Sequence, residues 1–301
     1  MSSSSEQPIR FQPLYMERVW GGRSLDKVYQ RALPKPDIPY GESWELVDRE
    51  DEQSVADGGM YDGLTLSQLW NSHRSTIFGD RVPDSERFPL LLKILDARER
   101  LSIQVHPPAA VAEELGGEPK TEMWFIASAD PDAELYVGLK EGVGREEFEN
   151  GIREGATEGQ VHRIPARAGE FIFIPSGRLH AIGAGLLIYE IQQNSDTTYR
   201  VFDWNRVGLD GAPRELHVDE SLKCIDFDDV EPEMDKPVGE TLVDCPLFRV
   251  ERWQLAGGDS RIVSDEGEFA IFSVVEGELH CGEESFGAGD FYLTPASAAT
   301  L

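Results

Sequence analysis

Cysteine is scarce in this 301-residue sequence, which contains only Cys224, Cys245 and Cys281. Three widely spaced cysteines with no CxxC pair provide no disulfide framework and no thiolate zinc site, and they fit a reducing compartment. The sequence also lacks any apolar run near the roughly 20 residues that cross a bilayer. Its N-terminus shows no basic segment followed by an apolar one, so no signal peptide is indicated. We therefore expect a cytoplasmic protein with no membrane partner.

Basic residues are also in short supply, because 28 Lys and Arg stand against 56 Asp and Glu and the net charge is −28. A field of this sign repels nucleic acid and anionic lipid, and we expect neither as a partner. The acidity by itself indicates a strongly solvated surface. An anionic substrate would have to be bound by a local cluster of Lys and Arg. Nothing in the sequence indicates an oligomeric state.

Glycine and proline are plentiful (29 and 18) and spread along the chain, which favours short elements joined by turns. We predict a mainly β protein with helical insertions, long enough for one large core or two modest ones. The predicted strands cover 89–96, 101–106, 169–175, 185–192 and 199–202. The predicted helices cover 64–75, 108–115, 145–153 and 216–225.

A short internal repeat indicates two related units. GEFIFIPSG at 169–177 and GDFYLTPAS at 289–297 share a turn glycine, an acidic residue, alternating aromatic and aliphatic residues, and a proline at the same offset. A strand unit repeated in two halves predicts two related β-barrels. His180 follows the first copy by three residues, whereas the second copy has Thr300 at that offset. We therefore expect the second barrel to be degenerate and to lack metal ligands.

The best candidate for a domain boundary is the acidic, proline-containing stretch 226–240. Upstream of it the sequence mixes strands with helices, and downstream it contains only short strand patterns. We therefore predict a larger domain over residues 1–240 and a smaller β domain over 241–301.

Four residues form a candidate metal site. Gln104 and His106 lie two apart in a strand-like run, so they point to the same face of a sheet. Glu122 in KTEMWFI and His180 in PSGRLHAIG add a carboxylate and a second imidazole. This set suits Zn²⁺, although Fe²⁺, Mn²⁺ or Co²⁺ could also bind. Because it contains no cysteine, we expect a catalytic rather than a structural site, with one ion per chain.

The spacing around His180 resembles the second motif of the cupin superfamily. That motif runs Gly, five residues, Pro, one residue, Gly, two residues, His, and Gly169, Pro175, Gly177 and His180 fit it in full. The Asn often found four residues after the histidine is replaced by Ala184. The resemblance implies jelly-roll barrels of the cupin type.

Several segments together resemble type I mannose-6-phosphate isomerases, in particular the shorter bacterial form. They span most of residues 18–225 and are WGG (20–22), GESWEL (41–46), PLLLKILDARERLSIQVHP (89–107), KTEMWFI (120–126), IPSGRLHAIGAG (174–185) and YEIQQNSDTTYRVFDWNR (189–206). The resemblance implies a zinc enzyme that interconverts mannose 6-phosphate and fructose 6-phosphate through an enediol(ate), with residues 1–240 as its catalytic domain. The zinc ligands implied by the resemblance are Gln104, His106, Glu122 and His180.

The resemblance also implies roles for residues around the metal. Arg200 matches the active-site arginine of the family, and its planar, permanent charge suits an enediolate oxygen or a phosphate. Glu190 resembles the proposed base in position and is our candidate for removing the carbon-bound proton. Lys120 and Ser102 resemble phosphate contacts, and Lys93 would complete the positive lining.

Simpler roles remain open for some of these side chains. Glu190 could be only an ion-pair partner of Arg200 or Lys93, as ionic networks often imitate active sites. Ser102 could be a strand hydroxyl bonded to backbone. Three tryptophans are expected to pack in the core rather than to stack on a sugar: Trp20, Trp44 and Trp124.

Two other functions remain open at this stage. A cupin metalloenzyme of another class, such as a dioxygenase or an isomerase of a different sugar, would also use a metal site. A dioxygenase would be expected to favour iron and would need no basic cluster for phosphate. A non-catalytic sugar-binding protein would keep the fold, but the full ligand set together with Arg200 argues against it.

Overall fold

The computed structural model describes residues 7–262 and 267–298, and within them the chain is mainly β with a few short helices. The helices are α1 Ser24–Lys27, α2 Leu66–Ser72, α3 Arg74–Ile77, α4 Ala109–Ala112, α5 Arg145–Glu154 and α6 Val218–Cys224. The strands before residue 240 are β1 Phe11–Gln12, β2 Leu14–Gly22, β3 Tyr40–Leu46, β4 Val55–Ala56, β5 Leu90–Ala97, β6 Ile103–Val105, β7 Glu122–Ala129, β8 Glu134–Leu139, β9 Val161–Pro165, β10 Phe171–Ile174, β11 His180–Ile182, β12 Leu186–Gln193 and β13 Tyr199–Phe202. Those after residue 240 are β14 Thr241–Asp244, β15 Arg249–Glu251, β16 Ala270–Ser273, β17 Glu278–Cys281, β18 Glu284–Gly287 and β19 Phe291–Thr294.

Two antiparallel sheets face each other. The first has the strand order β10-β7-β12-β5-β2-β3, and the second has the order β13-β6-β11-β8-β9. Successive side chains of a strand point to opposite faces of its sheet. Side chains from both inner faces share one apolar cluster, including Leu95, Ile126 and Ile188 of the first sheet and Val137 and Ile182 of the second. The space between the sheets is therefore a common interior.

The outer face of the first sheet is buried as well. Ile94, Met123 and Tyr189 on this face belong to a cluster that also contains Trp70 of α2 and Leu293 of β19. Strands covered on both faces read as continuous apolar runs, which explains the hydrophobic stretches at β5 and β12. The second sheet is covered in the same way, since Phe148 of α5 and Cys224 of α6 pack with its outward-facing side chains.

The predicted elements before residue 226 are all present, with shifted bounds. The predicted helix over 64–75 starts at Leu66, directly after Thr65, whose side chain forms a capping box with Gln68, and it is divided into α2 and α3 at His73. The strand predicted over 101–106 is shorter, because β6 ends at Val105 and His106 lies just beyond it. A run of two prolines directly after His106 ends the strand early.

The two copies of the sequence repeat have the same local structure. Gly169 and Gly289 both adopt positive φ, of 86° and 91°, and a strand begins two residues after each of them. Glycine is favoured at both positions because side chains disfavour this backbone region. At Gly289 a Cβ atom would also lie 2.6 Å from Tyr29. Thr300, at the offset of His180 in the second copy, lies outside the described residues.

The described residues after 240 form three two-stranded pairings, β14–β15, β16–β19 and β17–β18. They carry a small cluster of their own around Phe286 and Tyr292. They also pack onto the first sheet, and the bridge between Ile9 and Leu293 ties the start of the described chain to β19. No helix among the described residues has the length and apolar character needed to cross a bilayer.

A buried ion pair links this C-terminal part to the first sheet. Arg31, in the loop before β3, donates to both carboxylate oxygens of Glu45, at 2.6 and 3.0 Å. It also donates to Ser43 Oγ and to the backbone oxygen of Gly289. The side chains of Arg31 and Glu45 are only 12% and 4% exposed. One guanidinium therefore holds β3 and the turn before β19 together.

Replacing Arg31 by Met should destabilise the protein by about 3–5 kcal/mol, because the Glu45 carboxylate would stay buried without its partner. Burial already raises the pKa of Glu45, against the opposing effect of Arg31. Without Arg31 the folded-state pKa of Glu45 should lie further above its unfolded value, and a raised carboxyl pKa makes stability fall as pH rises. The destabilisation caused by Arg31→Met should therefore be larger at about pH 8 than at about pH 5. Urea unfolding at the two pH values measures both effects.

The matched control is Arg145→Met, which removes an exposed arginine paired with Glu149 one helical turn away. It should cost less than about 1 kcal/mol. Equal losses for the two variants, or a loss at Arg31 that does not change with pH, would contradict the role given to the buried pair.

Candidate active site

One row of polar side chains crosses the inner face of the first sheet. The strand register places Trp124 of β7 opposite Glu190 of β12, Glu190 opposite Lys93 of β5, and Lys93 opposite Trp44 of β3. Directly opposed residues in antiparallel strands point to the same face. All four side chains are buried, with exposed fractions from 1% to 4%. The neighbouring row contains Glu122, which pairs with Gln192.

A second row crosses the facing sheet. Gln104 of β6 lies between Arg200 of β13 and His180 of β11, with which it is in register on either side. The sequence places Gln104 in a strand, and the register adds that His180 and Arg200 share its face. The two sheets thus direct Glu122 and His180 towards one interior.

Three predicted ligands come together in this interior. His106 Nε2 lies 3.5 Å from Glu122 Oε2, and His180 Nε2 lies 3.6 Å from Glu122 Oε1. The candidate ligand atoms of the three residues all fall within 4.8 Å of one another. Their exposed fractions are 0% for His106, 0% for Glu122 and 1% for His180.

Backbone carbonyls fix both imidazoles. The Nδ1 atom of His106 is 2.8 Å from the carbonyl oxygen of Thr197, and that of His180 is 2.8 Å from the carbonyl oxygen of Arg178. A carbonyl can only accept, so each Nδ1 carries the proton and donates it. Each Nε2 is therefore left with its lone pair directed at Glu122, an arrangement that is typical of histidine ligands to metals.

The protonation states of these groups fit a divalent cation. Burial lowers the pKa of His106 well below its usual value and that of His180 to about 3, so both imidazoles are neutral. Burial raises the pKa of Glu122 to about 7, although the Lys120 ammonium opposes the shift. His106 Nε2 is buried and has no hydrogen-bond partner among the described residues. Neutral imidazoles and a carboxylate form the N/O donor set that zinc and related metals prefer.

Gln104 lies at the edge of this cluster. Its amide nitrogen is 3.3 Å from His180 Nε2, and its oxygen accepts a hydrogen bond of 3.3 Å from Ser102 Oγ. A half-turn about the last side-chain bond would exchange the two atoms and present the oxygen to an ion. Ser102 is therefore next to the site through Gln104, as its strand position predicts.

Lys120 contacts the cluster from the side of Glu122. Its ammonium lies 3.1 Å from Glu122 Oε2 and is 5% exposed. Burial disfavours its charge, but the carboxylates of Glu122 and Glu190 outweigh this effect and raise the pKa of Lys120. Lys120 is thus a permanent cation directly beside the candidate metal ligands.

Glu190 and Lys93 form an ion pair, with Lys93 Nζ 3.4 Å from Glu190 Oε1. On its other side Lys93 Nζ is 3.5 Å from Glu42 Oε2. Glu42 also accepts hydrogen bonds of 2.6 Å from Arg18 Nε and from Trp44 Nε1. Burial disfavours the Glu42 carboxylate, but Lys93 and Arg18 outweigh this and lower its pKa to about 2.

Sequence reasoning missed the roles of Glu42 and Arg18. The motif GESWEL contains Glu42, and its alternation with Trp44 was the available signal for a shared face. The ion pair of Glu190 with Lys93, one of the simpler roles left open by the sequence, is present. Since the same carboxylate also faces the interior that holds the candidate ligands, the pair does not exclude a role in chemistry.

Arg200 lies at the edge of the second sheet among further arginines. Its NH1 donates to the carbonyl oxygen of Glu215 at 2.8 Å. Asp203 nearby accepts from Arg206 Nε at 3.0 Å and from Arg214 Nε at 2.7 Å. Burial and the charge of Arg214 lower the pKa of Arg200. The segment 200–214 therefore contains three arginines, of which sequence reasoning found only Arg200, and two of them are paired with Asp203.

Known proteins are similar to this chain over most of its length. Residues 9–141 match the catalytic domain of type I phosphomannose isomerases. The chain is 38% identical over 302 residues to the mannose-6-phosphate isomerase ManA of Bacillus subtilis, covering 96% of this chain and 93% of that protein. It is 36% identical over 307 residues to the mannose-6-phosphate isomerase of Streptococcus mutans, covering 96% and 92%. The crystal structure of the mannose 6-phosphate isomerase from Bacillus subtilis is similar with a TM-score of 0.85 and 33% identity, covering 97% and 95% of the two chains.

His106→Ala should reduce the bound metal from about one ion per chain to near zero, because it removes one of the few donors of the site. Metal content by plasma mass spectrometry after dialysis, and the rise in melting temperature on adding the metal, measure this loss. His162→Ala is the control, since His162 lies on β9 outside the cluster. Unchanged metal content and an unchanged melting shift in the His106 variant would show that these residues do not hold the ion.

Proposed function

Because the chain belongs to the family of type I phosphomannose isomerases, we propose that it interconverts mannose 6-phosphate and fructose 6-phosphate. The observation that carries the proposal is the meeting of His106, Glu122 and His180 with Glu190 in one buried interior. An aldose–ketose isomerase needs both a base for a carbon-bound proton and positive charge for the oxygens. This interior offers both.

We propose Zn²⁺ as the metal, with Gln104, His106, Glu122 and His180 as its ligands. Nitrogen and oxygen donors without cysteine are typical of catalytic zinc sites. When bound, the ion polarises or orients the sugar oxygens. The ammonium of Lys120 beside Glu122 adds a fixed positive charge at the same place.

Glu190 is the proposed base. Its Oε2 accepts a hydrogen bond of 2.9 Å from Trp124 Nε1, whereas its Oε1 has no hydrogen-bond partner among the described side chains and backbone. In the proposed reaction Oε1 takes the proton from C2 of the aldose and returns it to C1, and a hydroxyl proton moves from O2 to O1. Lys93 Nζ lies 3.4 Å from Oε1 and forms an ion pair with this carboxylate.

Arg200 and the neighbouring arginines account for the anionic end of the substrate. Phosphate monoesters are bound best by planar guanidinium groups. Arg200, Arg206 and Arg214 lie together with Asp203 as the acidic partner of the last two. We propose that Arg200 and Lys120 stabilise the enediolate and the phosphate, with Ser102 close by.

The remaining expectations from the sequence concern location, domain organisation and partners. We propose a cytoplasmic enzyme whose two β units are cupin-like barrels, the second degenerate. The local match of the repeat at Gly169 and Gly289 supports this relation. We place the division between the units at residues 226–240, with the metal ligands in 1–240 and the smaller unit over 241–301. A hexose phosphate is the proposed partner, and neither nucleic acid nor membrane is.

Glu190→Gln should lower kcat for mannose 6-phosphate by roughly 100- to 10,000-fold, the usual contribution of a general base. A coupled assay for fructose 6-phosphate measures turnover, and metal content should stay at the wild-type level. Glu50→Gln, at an exposed position outside the cluster, is the control and should leave kcat unchanged.

Different outcomes contradict different parts of the proposal. Wild-type turnover in the Glu190 variant with metal bound would remove Glu190 as base but keep the isomerase. Iron in the purified protein together with oxygen consumption would indicate the alternative metalloenzyme. No product from wild-type protein with its metal would contradict the function itself.

A further inference from the structure

Trp124 is the one side chain of the first row that touches both the candidate metal centre and the candidate base. It lies on β7 two residues after Glu122, and its exposed fraction is 1%. Its indole ring meets the His180 imidazole edge to face, with ring centres 5.3 Å apart. Its Nε1 donates a hydrogen bond of 2.9 Å to Glu190 Oε2. The sequence predicts Trp124 only as a core residue.

The choice of acceptor is informative. A buried indole N–H needs an acceptor, and a backbone carbonyl is sufficient. Trp70, which is equally buried, donates to the carbonyl of Ser85. Trp124 instead donates to a carboxylate, and hydrogen bonds to a charged acceptor are stronger and more directional. This bond therefore restricts Glu190 as well as satisfying the indole.

Glu190 needs such a restriction. The last torsion of a glutamate side chain is broad, so the carboxylate plane is poorly fixed by sterics alone. Lys93 lies 3.4 Å from Oε1, but the lysine ammonium is a point charge that does not define a plane. The bond from Trp124 to Oε2 leaves Oε1 as the oxygen without a hydrogen-bond partner in the described structure.

We propose that Trp124 is a positioning residue for the isomerisation: its indole N–H orients the Glu190 carboxylate against the metal centre, so that Oε1 meets the carbon-bound proton. Since the same ring rests against His180, the distance between base and metal ligands is set through one rigid side chain. A general base displaced by about 1 Å can lose as much as 100-fold in rate. The inference rests on the proposed function and on Glu190 as base.

Packing is the competing explanation for Trp124. Its ring belongs to the apolar cluster between the sheets, with Leu95, Ile126 and Ile188. A packing role needs the ring and not the N–H. A variant that keeps the ring but lacks the N–H therefore distinguishes the packing role from the positioning role.

The first experiment compares Trp124→Phe with Trp70→Phe. Each change replaces a buried two-ring indole by one ring and removes its N–H. The two variants should therefore lose a similar amount of folding free energy. Trp124→Phe should lower kcat roughly 10- to 100-fold, the usual effect of losing a hydrogen bond to a charged group, with KM changed less than about threefold. Trp70→Phe should leave kcat within about twofold of wild type.

Two further measurements exclude a general structural effect. With mannose 6-phosphate deuterated at C2, the isotope effect on kcat should be larger in Trp124→Phe than in wild type, because proton transfer becomes slower relative to the other steps. Site-specific replacement of Trp124 by benzothienylalanine keeps the two-ring shape but has sulfur in place of N–H. It should reproduce the loss in kcat with wild-type metal content, even if Trp124→Phe disturbs His180.

The inference is overturned if the benzothienylalanine protein keeps wild-type kcat, or if kcat falls equally in the Trp70 variant. A fall in kcat accompanied by loss of metal and no change in isotope effect would also overturn it, since the ring and not the N–H would then matter. The proposed function fails separately, when the wild-type protein forms no fructose 6-phosphate. Glu190 as base fails separately, when Glu190→Gln keeps its turnover.

Discussion

Charged groups taken out of water need partners of opposite sign, and the interior between the two sheets is arranged around this requirement. Glu42, Glu122 and Glu190 are all nearly inaccessible, and so are Lys93 and Lys120. Each carboxylate has a cation within 3.5 Å, with Arg18 supplying the third positive charge at Glu42. Three negative groups thus meet three positive ones while both imidazoles are neutral. With Glu122 ionised, the charges of these six groups balance.

That balance bears on what the interior can bind. A bound divalent cation would leave two positive charges in excess in a region of low dielectric, where unbalanced charge is costly. A phosphate monoester dianion would restore the balance. A neutral sugar would not. The electrostatics therefore favour an anionic substrate even though the surface of the protein carries a net charge of −28.

The parts of the site that sequence reasoning predicted correctly are those set by local spacing. A spacing of two places Ser102 beside Gln104, to which it donates a hydrogen bond, and the glycine and proline spacing singles out His180, which lies in the cluster with His106 and Glu122. Contacts between strands that are distant in sequence could not be predicted from local spacing. The register that places Trp124 beside Glu190 joins residues 66 positions apart, and the Arg18–Glu42 bond joins strands β2 and β3 across 24 positions. Periodicity shows which face a side chain occupies but not which acceptor its N–H finds. His106 is a further example, since its imidazole is held by the carbonyl of Thr197, 91 residues away.

The two faces of the first sheet connect the site to the C-terminal part of the chain. Tyr189 and Glu190 are neighbours on β12 and point to opposite faces; the Tyr189 hydroxyl is 3.0 Å from that of Tyr29, and its ring stacks on Phe291 of β19. On β3 the same alternation sets Trp44 inside and Glu45, held by Arg31, outside. Neighbouring residues of a strand share one hydrogen-bonded backbone, so packing of Tyr189 on the outer face constrains where the Glu190 backbone lies. The packing of the C-terminal part on the outer face therefore constrains how far the Glu190 and Trp44 side chains reach into the interior. On this argument the C-terminal part supports the first-sheet residues of the site, Glu190 and Glu122, more directly than Gln104 and His180, which lie on the other sheet.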